Sequence, residues 1–310
     1  MISRYPVFIP KLLPRDEYFV SGRRSCKGCG KALAVRMICK MVGKDVMLSG
    51  YAKDSSFLSS YTQAGRGLTW DELSSGDLTT SLVDQLVAEN ERAKKEERVG
   101  KGIKKAVIGI DRRIFSKDPL AFTGILEEQK GVVYICYDSE VYMDELIKRS
   151  LTLALETHGG SQPLEKGEIR QFIQNKNIPP LVGESCVTYV ATACPSYPLD
   201  LMEKVKKGLQ VSGTAFISVL APCPTAWLFK PDLTAHLGFL AVATGFYPLF
   251  EVEAGNLKVT KLISPLHPLI EYFKAQQRYV AFPPELISLI QEVVAEEYET
   301  LLAESEERSR

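Results

Sequence analysis

The chain has 310 residues, a length that suits one large α/β domain or two smaller ones. Hydrophobic residues make up 45% and charged residues 25% of the chain, as in an ordinary globular protein with a substantial core. The 38 basic residues balance the 38 acidic ones, so no overall field favours nucleic acid or an anionic membrane as a partner.

Residues 1–25 predict an extended, proline-containing arm. Prolines and charges interrupt this segment where a secretory signal would need a clean apolar stretch. No run of 18 or more apolar residues occurs anywhere in the chain, which argues against a membrane span. We therefore expect a cytoplasmic protein.

The next part of the chain mixes a tight turn, two helices and a long loop. Residues 26–30 predict the turn, and helical apolar spacing begins at Ala32. A short buried strand is expected at 45–50, followed by a Ser-, Gly- and Thr-rich loop at 51–76. Residues 78–97 predict a helix that ends in a charge run, which we interpret as a solvated helix face.

From residue 105 the pattern changes to alternating strands and helices. The segments 106–110 and 131–138 are apolar throughout, as strands of a parallel sheet covered on both faces require. Helices are expected at 120–128 and from about Val141. Residues 156–181 are polar and broken by Gly and Pro, which predicts a lid or excursion loop with one short helix.

The alternation then resumes and continues to the C-terminus. We predict a doubly wound, mostly parallel α/β domain over residues 26–283, followed by a C-terminal helix and tail at 284–310. Ligands of such a domain bind at the carboxyl ends of the strands. The predicted strands are 187–193, 214–222 and 248–254, and the predicted helices are 200–210, 233–245 and 284–307.

Seven cysteines, an odd number, are scattered along the chain, a distribution that argues against a disulfide framework. Metal binding and simple burial remain as their roles. Burial is expected for the four in apolar surroundings, which are Cys39, Cys136, Cys186 and Cys194.

Two other short motifs place cysteines beside tight turns. Cys26 and Cys29 form a Cys-x-x-Cys motif whose adjacent glycine lets two thiolates point at one metal. This motif alone suits zinc, iron–sulfur or redox roles equally. Cys223 lies between two prolines just past a buried strand, and by itself this position favours a structural role.

A carboxylate and a hydroxyl follow two neighbouring predicted strands. Asp111 ends the first of them and Ser139 follows the second. Such a pair can share an Mg²⁺ ion that holds a diphosphate through oxygen ligands. The alternative role for an isolated Asp in this position is a turn or a helix N-cap.

Taken together, several segments resemble one family. CKGCG, YICYDSEVYMDELIKRS, YVATACPSYPLDLMEKVKKGLQ and LAPCPTAWLF with the later TGFYPLFE are similar to the β subunit of pyruvate and related 2-oxoacid:ferredoxin oxidoreductases. The resemblance runs, with gaps, from about residue 20 to residue 285. The order and spacing of the segments also match.

The resemblance implies a thiamine-diphosphate-binding fold with Mg²⁺ and a nearby [4Fe–4S] cluster. Members of the family oxidatively decarboxylate a 2-oxoacid, form an acyl-CoA and pass electrons to ferredoxin. The cofactor is then the electron sink, while the protein positions it and provides an electron path. The partners implied are an α-type subunit, γ and δ subunits, and ferredoxin. Because the α partner supplies the activating Glu, no catalytic residue is expected in this chain.

The cluster ligands that the resemblance implies are Cys26, Cys29 and Cys223. The family has a further cysteine where this sequence has Tyr51. Cys39 is a candidate for the fourth ligand in its place. The same residues also suit a three-cysteine cluster with an outside ligand, a vacant site with buried cysteines, or a zinc site. No histidine at ligand spacing supports zinc.

The diphosphate loop departs further from the family. Its Gly-Asp-Gly-Gly is replaced by Ile110, Asp111, Arg112 and Arg113. Glycines suit this loop because the diphosphate approaches the bare backbone closely. One interpretation is that the arginines pair with phosphate oxygens. The other is that Ile110 and Arg112 fill the space of the diphosphate and Arg113 adds further bulk. We favour the second interpretation and expect weakened or absent cofactor binding.

The remaining cofactor residues are also carried over from the resemblance. Ser139 matches the Mg²⁺ ligand that uses its side chain, and Val141 matches the ligand that uses its backbone carbonyl. Asp144 stands where the family usually has Asn. Two hypotheses follow, a cofactor-binding enzyme subunit and a degenerate structural or regulatory subunit. An unrelated α/β binding protein is a third.

Overall fold

The computed structural model describes residues 13–17, 26–42, 46–50, 105–112, 126, 132–140, 165–174 and 187–307. Several predicted features lie outside the described residues. They are the arm at 1–25 apart from 13–17, the loop at 51–76 with Tyr51, the helix at 78–97, the helix at 120–128 apart from Leu126, Arg113, the helix from about Val141 with Asp144, the loop at 156–181 apart from 165–174, and Cys186.

A seven-stranded sheet forms the centre of the structure. Its strands are β1 Val46–Gly50, β2 Lys105–Asp111, β3 Val132–Asp138, β4 Tyr189–Ala193, β5 Ala215–Leu220, β6 Phe250–Glu253 and β7 Asn256–Val259. They lie in the order β1-β2-β3-β5-β4-β6-β7. The first five strands in chain order pair with one another only in parallel, and β6 and β7 are antiparallel.

Seven α-helices are described around this sheet. They are α1 Gly30–Val42, α2 Lys166–Gln174, α3 Pro198–Gln210, α4 Pro224–Trp227, α5 Thr234–Ala243, α6 Leu269–Lys274 and α7 Pro284–Glu307. The predicted mainly parallel α/β architecture is confirmed. The expected division of the chain into an arm, a domain and a tail stays a prediction.

Every residue of β3, β4 and β5 is buried, because helices pack on both faces of the sheet. One hydrophobic cluster joins α1 and α3 to one set of alternating strand residues, such as Val133, Ile135 and Ile217. A second cluster is built largely from α2, α5, α6 and α7. The continuous apolar runs in the sequence therefore correspond to strands in the middle of a three-layer structure.

The described part of the arm lies against α1. The Lys40 ammonium donates to the backbone carbonyls of Pro14 and Asp16, at 2.8 and 3.1 Å. Glu17 accepts two hydrogen bonds from Arg36, and these hold the pKa of its carboxyl at about 2. Residues 13–17 are thus attached to the helix that follows the Cys-x-x-Cys turn.

The C-terminal end of the sheet differs from a continued β–α alternation. β6 lies antiparallel to β4, and a two-residue turn then reverses the chain into β7. Ala254 and Gly255 in that turn both have positive φ, 50° and 80°, as a type I′ hairpin turn requires. The sequence prediction missed β7 and also α6, whereas α7 has the predicted bounds.

None of the described helices has the length and apolar character needed to cross a membrane.

One buried lysine joins α3 to the sheet. The Lys204 side chain is 1% exposed, and its ammonium donates to the Thr192 carbonyl, the Asp200 carboxylate and the Thr260 hydroxyl, at 2.7 to 2.8 Å. Burial lowers the pKa of Lys204, and the Asp200 carboxylate counteracts that effect. Three acceptors match the three donors of an ammonium group, so its burial is fully compensated.

Replacing Lys204 by Met should lower the free energy of unfolding by about 2 kcal/mol or more, because it leaves Asp200 and a buried carbonyl without their donor. Urea unfolding of the full chain measures this change. Lys206→Met is the matched control, since Lys206 lies on the same helix and is 48% exposed. It should change stability by less than about 0.5 kcal/mol. Equal losses in the two variants would contradict the structural role of Lys204.

Candidate functional site at the carboxyl edge of the sheet

The carboxyl ends of β2, β3 and β5 lie side by side. The Cα of Asp111 pairs with that of Tyr137, and the Arg112 N–H donates to the Tyr137 carbonyl at 3.3 Å. The Ala221 N–H donates to the Asp138 carbonyl at 2.6 Å. The two segments predicted to share a site, which end in Asp111 and begin at Ser139, therefore meet at one edge of the sheet.

A buried ion pair joins the ends of β2 and β3. The Arg112 guanidinium donates to Asp138 Oδ2 at 2.6 Å, with side-chain exposures of 6% and 0%. Burial raises the pKa of Asp138, and the adjacent guanidinium works against that rise by favouring the carboxylate. The arginine that follows Asp111 thus points into the protein and engages a neighbouring strand end.

A second buried carboxylate follows directly. Glu140 is fully buried at a φ of 55°, and its N–H donates to Asp138 Oδ1 at 2.7 Å. Its Oε2 accepts hydrogen bonds from the Tyr272 hydroxyl and from the Arg278 guanidinium. Within the described residues, its Oε1 has no hydrogen-bond partner. A strained backbone held by several buried polar contacts is typical of functional edges.

The third component of this edge is aromatic. Trp227 is 1% exposed, and its indole N–H donates to the backbone carbonyl of Ser139 at 2.7 Å. The Arg278 guanidinium stacks over the Trp227 ring at 4.1 Å from its centroid. The segment that carries Cys223 is therefore connected to the strand end that carries Ser139.

The Cys-x-x-Cys turn is attached to the same edge by close backbone contacts. The Gly30 N–H donates to the Pro222 carbonyl at 3.0 Å, and a Cβ at Gly30 would lie 2.6 Å from Pro222. Gly28 has a φ of 68°, and a Cβ there would lie 2.3 Å from the Pro231 carbonyl oxygen. Both glycines are required by this packing, which brings the turn beside Cys223.

The three predicted cluster cysteines lie around this contact. Cys26 is exposed, while Cys29 and Cys223 are half-buried. The Cys29 sulfur accepts the Ala32 N–H at 3.5 Å, and the Thr225 hydroxyl lies 3.8 Å from the Cys26 sulfur. Burial raises the pKa of Cys29, and the nearby Cys223 adds to that rise.

A groove of about 670 Å³ opens beside the cysteine turn. Its lining includes Cys26, Cys29, Glu17, Arg36 and Asp232. Over the described ranges of the chain, no three His, Cys, Asp or Glu side chains form a ready group of metal ligands.

Comparison with known proteins gives a consistent family. The sequence matches no family model. Pyruvate synthase subunit PorB of Methanocaldococcus jannaschii is 34% identical over 294 residues, which cover 93% of this chain and 97% of the relative. Ketoisovalerate oxidoreductase subunit VorB of Pyrococcus furiosus is 31% identical over 305 residues, which cover 93% of this chain and 94% of that relative.

The chain belongs to the PorB/VorB family of 2-oxoacid:ferredoxin oxidoreductase β subunits. This PorB/VorB chain is accordingly a subunit of an oxidoreductase complex. A solved 2-oxoglutarate:ferredoxin oxidoreductase from Magnetococcus marinus is similar at a TM-score of 0.40 and 15% identity, covering 69% of each chain. These values are too low to establish a common fold.

The described contacts of Arg112 in the diphosphate loop do not fit the cofactor that the resemblance implies. Arg112 is 5% exposed, so its guanidinium presents little surface to a phosphate. That guanidinium is bound to Asp138, and it places a positive charge immediately after Asp111, the Mg²⁺ ligand that the resemblance implies. The interpretation that Arg112 pairs with phosphate oxygens therefore has no support from the contacts of this side chain.

The surroundings of Cys29 act on its thiol in opposite directions. Burial raises its pKa, and the backbone N–H groups of residues 31 and 32 face the sulfur and partly offset that rise. Cys39, the candidate for the fourth ligand, is fully buried on α1. Cys136 and Cys194 are also buried, as predicted, and burial raises the pKa of Cys194 to about 11.

Four residues of this edge were missed from the sequence, namely Glu140, Trp227, Tyr272 and Arg278. Glu140 and Trp227 lie inside the family-like segments YDSE and APCPTAW, which was the available signal. Nothing in the sequence around Tyr272 and Arg278 indicates that they reach a carboxylate more than 130 positions away.

Replacing Gly28 by Ala should destabilise this PorB/VorB chain by about 3 kcal/mol, because it adds a clash with Pro231 to the cost of a positive φ. Gly255→Ala is the matched control, since that residue has a φ of 80° and open space around its Cβ position. It should cost only about 1 kcal/mol. Chemical denaturation measures the free energy of unfolding of both variants. Equal losses of stability would show that the contact of Gly28 with Pro231 does not constrain this position.

Proposed function

We propose that the chain acts in the cytoplasm as the β-type subunit of a complex with an α-type chain that oxidises a 2-oxoacid. The supporting observation is the 34% identity to a PorB subunit over 97% of that relative's length. The names of the relatives divide between pyruvate and ketoisovalerate, so the substrate class is a 2-oxoacid. γ and δ subunits and ferredoxin are further partners in this proposal.

The proposal includes a thiamine-diphosphate-binding type of fold. Its support is the run of parallel strands whose carboxyl ends meet at one edge, the position at which α/β sheets bind ligands. The Mg²⁺ ligands Asp111, Ser139 and Val141, and the neighbouring Asp144, stay predictions. If thiamine diphosphate were bound, it would supply the electron sink for decarboxylation.

An iron–sulfur group at Cys26, Cys29 and Cys223 is the second part of the proposal. The three residues lie on two loops that a direct hydrogen bond joins, from Gly30 to Pro222. A [4Fe–4S] cluster takes four ligands, so the fourth would come from elsewhere in the chain or from a partner. Such a cluster would supply a one-electron path out of the complex.

A second candidate function is favoured by the Arg112–Asp138 pair. A chain whose diphosphate loop is filled by its own side chain would retain the surface for an α-type partner without binding thiamine diphosphate. It would then be a structural or regulatory β-type subunit. The two candidates share the partner and differ in the cofactor.

Co-expression with the α-type chain tests the shared proposal. A tag on this chain should recover both chains in a constant ratio through size-exclusion chromatography with light scattering. We expect a constant ratio because permanent complexes of this kind have large subunit interfaces. Recovery of this chain alone as a stable monomer would contradict the proposed function.

Iron content tests the cysteine site. After anaerobic reconstitution, Cys26→Ser, Cys29→Ser and Cys223→Ser should each lose most of the iron, because each removes a thiolate ligand. Cys194→Ser is the matched control, since Cys194 is fully buried with its thiol directed at the Gly238 carbonyl. Iron content that is equal in all four variants would show that the three cysteines are not ligands.

A further inference from the structure

We infer that Arg112 is a built-in cation that stands in for the metal ion at the carboxyl edge of the sheet, so that this β-type subunit folds with Asp138 neutralised and excludes Mg²⁺ and thiamine diphosphate. The inference rests on the second candidate under the proposed function, the structural or regulatory β-type subunit, and names the residue responsible for the loss of cofactor binding.

Charge balance at this edge is the first step. The buried charged side chains described there are two arginines, Arg112 and Arg278, and two acids, Asp138 and Glu140. They form two ion pairs, Arg112 with Asp138 and Arg278 with Glu140. Each of these two described acids therefore already has a cationic partner. A metal ion would enter beside a fixed guanidinium and be repelled by it.

The connection between the two pairs is the second step. The Glu140 N–H donates to Asp138 Oδ1, so both carboxylates lie on one short backbone segment. Arg278 stacks on Trp227, and the indole of Trp227 binds the carbonyl of Ser139 between the two acids. The network is thus continuous from the end of β2 to residue 278. Moving Arg112 aside for a ligand would leave Asp138 buried and without its cation.

The position of Arg112 in the chain is the third step. Its N–H donates to the Tyr137 carbonyl, which fixes the backbone immediately after Asp111 at the strand end. A glycine in that position would leave the backbone bare, whereas Arg112 extends a side chain that is 5% exposed. The same residue therefore puts a side chain and a positive charge at a position where the resemblance implies a glycine.

Cation and cofactor binding by the purified α–β complex tests this inference. Mn²⁺ is the metal probe, and its binding is measured by electron paramagnetic resonance. Bound thiamine diphosphate is released by denaturation and measured through the fluorescence of its oxidation product. The wild-type complex should hold substoichiometric amounts of both. Arg112→Ala should bind Mn²⁺ at least about tenfold more tightly, because Asp138 is then open to a cation.

Two variants control this experiment. Arg112→Lys retains a positive charge and should behave as the wild type. Arg170→Ala removes an arginine on α2 that also binds carboxylates, those of Glu296 and Glu297, but whose side chain is 38% exposed. This variant should also leave Mn²⁺ binding unchanged. An increase in Mn²⁺ affinity that also occurs in Arg170→Ala would overturn the assignment to Arg112.

The wild-type result is decisive even if Arg112→Ala does not fold. Stoichiometric thiamine diphosphate in the wild-type complex, or a melting temperature that Mg²⁺ with thiamine diphosphate raises, would overturn the inference. An unchanged melting temperature supports it. Failure of the α-type chain to associate is a separate outcome that contradicts the proposed function, whereas a cofactor-loaded complex contradicts only the role of Arg112.

Discussion

The buried ion pair between Arg112 and Asp138 is the interaction on which the arrangement of this edge depends. Asp138 forms hydrogen bonds with three neighbours. Its carboxylate accepts hydrogen bonds from the Arg112 guanidinium and from the Glu140 N–H, and its backbone carbonyl accepts one from the Ala221 N–H. The ends of β2, β3 and β5 are thereby held together at one residue. Removing one partner of such a buried pair typically costs about 3 to 5 kcal/mol, a large part of the stability of a domain.

The same pair separates family membership from cofactor chemistry. The similarity to PorB and VorB extends over 93% of the chain and shows membership of the family. In the diphosphate loop, Arg112 carries a buried side chain that is paired with Asp138. A chain can therefore retain a fold and a partner surface while one loop loses its binding function, because function depends on the site and not on the fold.

Much of this fold follows from local patterns in the sequence. The continuous apolar runs predicted the buried parallel strands, and α1 and α7 follow from helical spacing. The hairpin of β6 and β7 and the short helix α6 were missed. The hairpin was missed because the Ala254–Gly255 turn reverses the chain within two residues. The apolar run into Phe250 does not by itself indicate whether the strand is parallel or antiparallel.

The candidate site was less predictable than the fold. The order of the strands predicted that Asp111 and Ser139 follow neighbouring strands, and the family resemblance predicted that Cys26, Cys29 and Cys223 lie close to them. In the structure, backbone hydrogen bonds connect the ends of β2, β3 and β5, and a further one connects Gly30 to Pro222. The partners of the buried acids lie far away in sequence, and Arg278 is 138 positions from Glu140. Such pairing depends on tertiary packing, so a single sequence contains no local signal for it. The direction of the Arg112 side chain was open for the same reason.

A double-mutant cycle on Arg112 and Asp138 tests the central claim most directly. Arg112→Met, Asp138→Asn and the combined variant are unfolded with urea, and the coupling free energy is obtained from the four stabilities. We predict a coupling of about 2 kcal/mol or more, with the double variant more stable than the sum of the single losses implies. Losses that add to within about 0.5 kcal/mol would show that the two groups do not stabilise each other.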